Sequence, residues 1–161
     1  MAMGEIEWTT RTREMVSVDA DMPIATNLLE SRPHPRKVVA EPAGARRRVL
    51  VVDDNRDAAS SLAMMLTIMG YETRTARDGL EALDVAAEFH PRVILLDIGM
   101  PRLNGYDAAR RIRQEAWGEN VMLVALTGWG QDEDRRRSEE AGFDDHLVKP
   151  VDRAVLEKLL A

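Results

Sequence analysis

Five residues able to hold an ion or take part in group transfer each stand at or just beyond the end of a short apolar run. Asp53 and Asp54 follow Val49-Leu50-Val51-Val52, and Asp97 follows Val93-Ile94-Leu95-Leu96. Thr127 comes after Val121 to Leu126, and Lys149 after His146-Leu147-Val148. If the runs are strands of one parallel sheet, three carboxylates, one hydroxyl and one ammonium converge at a single sheet edge. Carboxylates crowded in this way raise one another's pKa unless a cation compensates. An all-oxygen set without His or Cys suits a hard cation, and Mg2+ is the natural candidate. Such an ion keeps coordination positions for water and for an oxygen of an incoming phosphoryl group.

The intervening segments supply the elements that such convergence needs. Val49 to Val52 is continuously apolar, as expected of a strand buried on both faces. Asp57 to Met69 has helical spacing, with Leu62, Met65, Leu66 and Met69 on one stripe and Gly70 as its stop. Tyr71 to Ala76 alternates as a strand. Asp78 can cap a helix running to about Glu88 that turns Leu80, Leu83 and Ala87 inward. Next come a strand over Val93 to Leu96, a helix over Asn104 to Glu115 and a strand over Val121 to Leu126. A strongly polar helix over Asp132 to Ala141 stops at Gly142, and a short strand at His146 to Val148 leads to a last helix over Arg153 to Leu160. Strand and helix thus alternate five times, which predicts an α/β protein with a parallel sheet and helices on both faces. In that architecture ligands bind beyond the carboxyl ends of the strands, where the five residues fall.

Residues 1–45 read differently. Charged and polar residues are mixed with Pro23, Pro33, Pro35 and Pro42, with no sustained period beyond one or two helical turns over Met22 to Leu29. This stretch is expected to be a flexible leader or linker, and residues 46–161 the domain. The formal charge of −6 argues against a nucleic-acid partner held by diffuse electrostatics. The absence of cysteine excludes disulfides, thiol catalysis and Cys-based zinc sites. No apolar run approaches the ~20 residues that span a bilayer, and Glu5, Glu7 and Trp8 stand where a secretory signal turns apolar. No membrane partner and a cytoplasmic location are therefore expected. Arg135-Arg136-Arg137 lies among acidic residues and is read as a solvated helix face. His34 stands between Pro33 and Pro35, outside any helical pattern.

The run Val49-Leu50-Val51-Val52-Asp53-Asp54-Asn55, then Val93-Ile94-Leu95-Leu96-Asp97-Ile98-Gly99-Met100-Pro101, Asn104-Gly105, Leu126-Thr127-Gly128 and Lys149-Pro150 resembles the receiver domain of two-component response regulators. The likeness extends from about Arg47 to Ala161, in that family's order and spacing. It implies a flavodoxin-like, doubly wound sheet of five parallel strands in the order 2-1-3-4-5. It further implies Mg2+ held by Asp53, Asp54, Asp97 and the backbone carbonyl of Gly99, with Asp97 as the phosphoacceptor. Thr127 and Lys149 would stabilise the phosphoryl group, and a cis Lys149-Pro150 bond would aim the ammonium. The implied donor is the phosphohistidine of a sensor histidine kinase or a histidine phosphotransfer protein, met near Arg56 to Leu62. The implied output is a contact with a downstream protein. Family members relay phosphorylation through a residue three before the lysine, here His146, together with Thr127. Positions two after the phosphoacceptor and two after the threonine govern phosphoryl lifetime, here Gly99 and Trp129.

Other readings make different demands on the same residues. A phosphatase with an Asp nucleophile of the haloacid-dehalogenase type needs a second Asp two residues on, where this chain has Gly99, and a cap segment. A dinucleotide-binding module needs a Gly-rich turn after the first strand, where Asp53-Asp54-Asn55 stands. A degenerate receiver used only as a platform would not need all five family positions intact. The chain is accordingly expected to be a phosphoacceptor and not a turnover enzyme, acting as a single-domain regulator without a DNA-binding output. The alternative is the C-terminal receiver portion of a hybrid histidine kinase.

Overall fold

A computed structural model describes residues 47–128 and 132–161. The expectations for residues 1–45, including a turn over Met22 to Leu29, and for Trp129 lie outside the described residues. The described chain runs β1 (Arg48–Val52), α1 (Arg56–Ile68), β2 (Glu72–Ala76), α2 (Gly79–Phe89), β3 (Val93–Asp97), α3 (Gly105–Gln114), a 3-10 turn (Ala116–Gly118), β4 (Met122–Thr127), α4 (Asp132–Ala141), β5 (Asp145–Val148) and α5 (Arg153–Leu160). All five strands are parallel, in the order β2-β1-β3-β4-β5, as expected.

Successive residues of a strand face opposite sides of the sheet, and here both sides are apolar. Val49, Val51, Val93, Leu95, Val124, Leu126 and Leu147 pack with Ala59, Leu62 and Leu66 of α1 and with Leu156 and Leu160 of α5. Leu50, Val52, Ile94, Leu96, Leu123 and Ala125 pack on the other side with Ala82 and Ala86 of α2, Ala108, Ala109 and Ile112 of α3, and Ala141 of α4. The uninterrupted apolar runs of the central strands arise from this two-sided burial. Among the described residues, no helix is long and apolar enough to cross a membrane.

One sequence expectation fails. In α2 the buried positions are Gly79, Ala82, Ala86 and Phe89, whereas Leu80 and Ala87 are exposed and Leu83 is half-buried. The cause is the close seating of α2 on α3. A Cβ at Gly79 would lie 2.9 Å from both the Ala108 Cβ and the Leu103 carbonyl oxygen. Only small side chains fit that contact, so the alanine stripe faces in, Leu80 turns outward and Leu83 packs at the edge of the core. Helix ends also differ by a residue. The first helix starts at Arg56, one residue before the expected Asp57, and Asn104 is a cap rather than a helical residue; Asn55 accepts from the N–H groups of Asp57 and Ala58, and Asn104 from that of Asp107.

Candidate functional site

The carboxyl ends of β1, β3, β4 and β5 carry the chemical groups, and backbone bonds fix their exits. Asp53 N–H donates to the Ala76 carbonyl at 3.0 Å, Ile98 N–H to Leu126 at 3.1 Å and Lys149 N–H to Thr127 at 2.8 Å. The sheet register is thus carried one residue beyond the strands, and it sets where each side chain starts. Asp53 and Asp97 are buried while Asp54 is exposed, and one carboxylate oxygen from each of the three lies within 4.8 Å of the others.

Lys149 joins two of them. Its Nζ donates to Asp53 Oδ2 at 2.7 Å and lies 3.2 Å from Asp97 Oδ2. The other Asp53 oxygen accepts the Asn55 N–H at 2.9 Å, and Asp97 Oδ1 accepts the Gly99 N–H at 3.2 Å. Burial raises the Asp97 pKa, and the Asp53 charge adds to this. The Gly99 N–H and the Lys149 ammonium oppose it without cancelling it. Burial works against the Lys149 charge, but the Asp53 hydrogen bond and the Asp97 and Asp53 charges outweigh it and raise that pKa above its ordinary value. Thr127 Oγ1 is buried and has no hydrogen-bond partner among the described residues.

The donor set therefore fits a hard divalent cation. Three carboxylates against one ammonium leave the cluster net negative, and every ligand is oxygen. The unpartnered Thr127 hydroxyl, at the end of the strand beside β3, fits a further oxyanion. The Lys149-Pro150 bond is cis, as the resemblance implies.

The remaining sequence-derived candidates are spread around this cluster. Gly99 is exposed, and the nearest atom to a Cβ built on it is Asp97 Oδ1 at 3.9 Å, so a side chain there would stand beside the carboxylate. His146 is a quarter exposed, pairs in register with Ala125, and lines a cavity of about 200 Å3 with Arg135, Ser138, Glu139 and Phe143. Its Nδ1 lies 3.8 Å from the Asp145 carboxylate. Arg135, Arg136 and Arg137 are exposed, as read from the sequence. Beside Lys149, a mainly apolar groove of about 450 Å3 is lined by Ser61, Leu62, Met65, Pro150 and Val151.

Two residues quoted in the resemblance have structural roles that the sequence does not supply. Asn55 both caps α1 and donates its N–H to Asp53, so it fixes a carboxylate as well as a helix start. Gly105 lets α3 begin directly against the β3 exit. A Cβ there would lie 2.5 Å from the Asp97 carbonyl oxygen and 2.7 Å from the Ile98 Cα. Asn and Gly just before a helical pattern are the available signals, but neither names its partner.

Residues 49–161 match the family pattern described as the response regulator receiver domain. The chain belongs to the response-regulator receiver family. It is 40% identical over 114 residues to the response regulator MprA of Mycobacterium sp. (strain KMS), an alignment covering 71% of this chain and 47% of that protein. The chain therefore spans about half the length of the curated relatives it matches. Among solved structures, the chemotaxis protein CheY4 of Vibrio cholerae is similar with a TM-score of 0.69 and 31% identity, over 72% of this chain and 97% of that one. The receiver domain of the sensor histidine kinase PA1611 from Pseudomonas aeruginosa, described with a magnesium ion coordinated in its active-site cleft, has a TM-score of 0.67 and 35% identity over 72% of this chain and 95% of its own.

Proposed function

We propose that this receiver takes a phosphoryl group on Asp97 from a partner phosphohistidine and thereby changes its protein contacts. The observation that carries the reading is the meeting of Asp97 with Asp53, Asp54 and Lys149 beside the buried, unpartnered Thr127 hydroxyl. Asp53, Asp54, Asp97 and the Gly99 carbonyl are assigned to hold Mg2+, and the ion named for the Pseudomonas aeruginosa relative supports that assignment. When bound, Mg2+ supplies positive charge that offsets the carboxylates and the phosphoryl oxygens.

An oxygen of Asp97 attacks phosphorus in line with the scissile P–N bond. As the new P–O bond forms, the P–N electron pair stays on the imidazole nitrogen, which takes up a proton from solvent. Lys149 moves its ammonium from carboxylate to phosphoryl oxygen, and Thr127 donates its hydroxyl to another. The chain acts as a group acceptor and not as a turnover enzyme.

The donor, a sensor histidine kinase or a histidine phosphotransfer protein, docks at the start of α1 beside the groove over Leu62, Met65 and Val151. His146 turns in its cavity as Thr127 is drawn to the phosphoryl group, altering the β5 surface offered to a downstream protein. Gly99 and Trp129 set the access of water to the acyl phosphate. Residues 1–45 serve as leader or linker to the receiver over 46–161, acting in the cytoplasm.

The test is transfer of label from a phosphorylated histidine phosphotransfer protein. Label should appear on the parent chain, fail to appear on Asp97→Asn, and fall at least tenfold in rate for Lys149→Ala. Transfer to Asp97→Asn at the parent rate would refute the assignment.

A further inference from the structure

The loop between β3 and α3, residues 98–104, carries Gly99 and is fastened on several sides. Ile98 N–H donates to the Leu126 carbonyl at 3.1 Å, and Gly105 N–H to Ile98 at 3.2 Å. Met100 is buried in the core, with Leu103 packed against the same cluster. At the loop's apex, Arg102 has φ 66, a left-handed conformation that glycine adopts freely and that a residue with a side chain adopts at a cost. From that backbone its guanidinium reaches Asp78 Oδ2 at 3.3 Å.

Asp78 has an oxygen to spare. Its Oδ1 alone caps α2, accepting from Leu80 N–H at 3.0 Å and Glu81 N–H at 2.9 Å. The Asp78 side chain is 8% exposed and that of Arg102 72%, so the pair joins a buried carboxylate to a largely solvated guanidinium. The next residue, Gly79, brings the α2 backbone against the Leu103 carbonyl oxygen, which a Cβ would approach to 2.9 Å. The start of α2 thus meets the loop twice, through the Gly79 backbone and through the Asp78 carboxylate.

We infer that Arg102 and Asp78 are positioning residues for the acidic site: their ion pair clamps the loop apex to α2 and so holds the Gly99 carbonyl toward Asp53, Asp54 and Asp97. The inference rests on the reading of that cluster as a Mg2+ seat with Gly99 as a ligand. Neither residue touches the ion, and both act through the loop backbone.

The test is a calorimetric titration with Mg2+ of the full chain and of Arg102→Met, Asp78→Asn and the double variant. Long-range charge and a clamp predict opposite signs for arginine. Loss of a nearby cation would by charge alone tighten Mg2+ binding, whereas loss of the clamp weakens it. The expected result is that each single variant binds about fivefold more weakly, less than the 10–100-fold typical of a group bonded directly to a ligand. The double variant should be no weaker than the weaker single variant, because the two residues form one contact. Asp78→Asn keeps a helix-capping side chain, and Arg102 is 72% exposed, so unfolding in chelator should stay close to the parent's. Should Asp78→Asn fail to fold, Arg102→Met decides alone. Unchanged or tighter Mg2+ binding by Arg102→Met overturns the clamp. A parent chain that takes up no Mg2+ overturns both the clamp and the reading beneath it.

Discussion

Asp97 and Lys149 lie 3.2 Å apart and have opposite consequences for stability. The Asp97 pKa is raised, burial being the main cause, so without metal the folded chain binds that proton more tightly than the unfolded chain, whose value is near 3.8. Its contribution therefore falls as pH rises from below 3.8 through the folded value, and above that value the ionised carboxylate destabilises the fold. Asp97→Asn is predicted to melt a few degrees above the parent in chelator at pH 7, where about 1 kcal/mol corresponds to about 4–8 °C in a small domain. Added Mg2+ should reverse the order, because linkage stabilises the chain with the intact ligand set. The raised Lys149 pKa has the other sign: its contribution is fully present below 10.5 and is lost as pH rises through the folded value. Lys149→Met should cost about 1–2 kcal/mol by denaturant titration, below the range for buried pairs because the lysine is nearly a third exposed. These five groups were legible because each stands just after an apolar run, and the end of a strand paired in the sheet fixes the position of the next residue. Arg102 and Asp78 were not legible as a pair, since an ion pair between two loops 24 residues apart leaves no local pattern.

At the scale of elements, the alternation of apolar runs and amphipathic stretches located every strand and every α-helix among the described residues. The inward face of α2 was misassigned because size, not hydrophobicity, decides it. Gly79, Ala82 and Ala86 are chosen by the closeness of α3, and Leu80 is left 44% exposed. The lower end of α3 is fastened by Arg113, which donates to the carbonyls of Gly142, Gly118 and Val121 and to Asp144 Oδ2, all within 2.8 Å. Asp144 also accepts the Leu123 N–H at 2.9 Å, so one guanidinium ties α3, the 3-10 turn, β4 and the α4 exit. Arg113→Ala should lower the unfolding free energy by about 3 kcal/mol, with little recovered by Arg113→Lys, which lacks the planar fork. At the upper end, Gly105→Ala forces a methyl against the Asp97 backbone. It should cost about 1–3 kcal/mol, read by thermal unfolding, and displace the Asp97 backbone.

For the molecule as a whole, five strand–helix repeats define an α/β sheet from periodicity alone. The particular order 2-1-3-4-5 came from family resemblance, because an apolar run does not say which neighbour it pairs with. The order matters to function: β1 and β3 lie side by side at the centre, with β4 next to β3. That adjacency brings Asp53, Asp97 and Thr127 to one edge from positions up to 74 residues apart in sequence. The central claim is that this convergence makes Asp97 a metal-dependent phosphoacceptor. Its most direct test is intact mass after incubation with acetyl phosphate, with Mg2+ or with EDTA, for the parent and Asp97→Ala. The account predicts one added phosphoryl group on the parent with Mg2+, and none with EDTA or on Asp97→Ala. An adduct that survives loss of Asp97, or a parent that binds Mg2+ yet stays unmodified by acetyl phosphate and by a phosphohistidine donor, would contradict it.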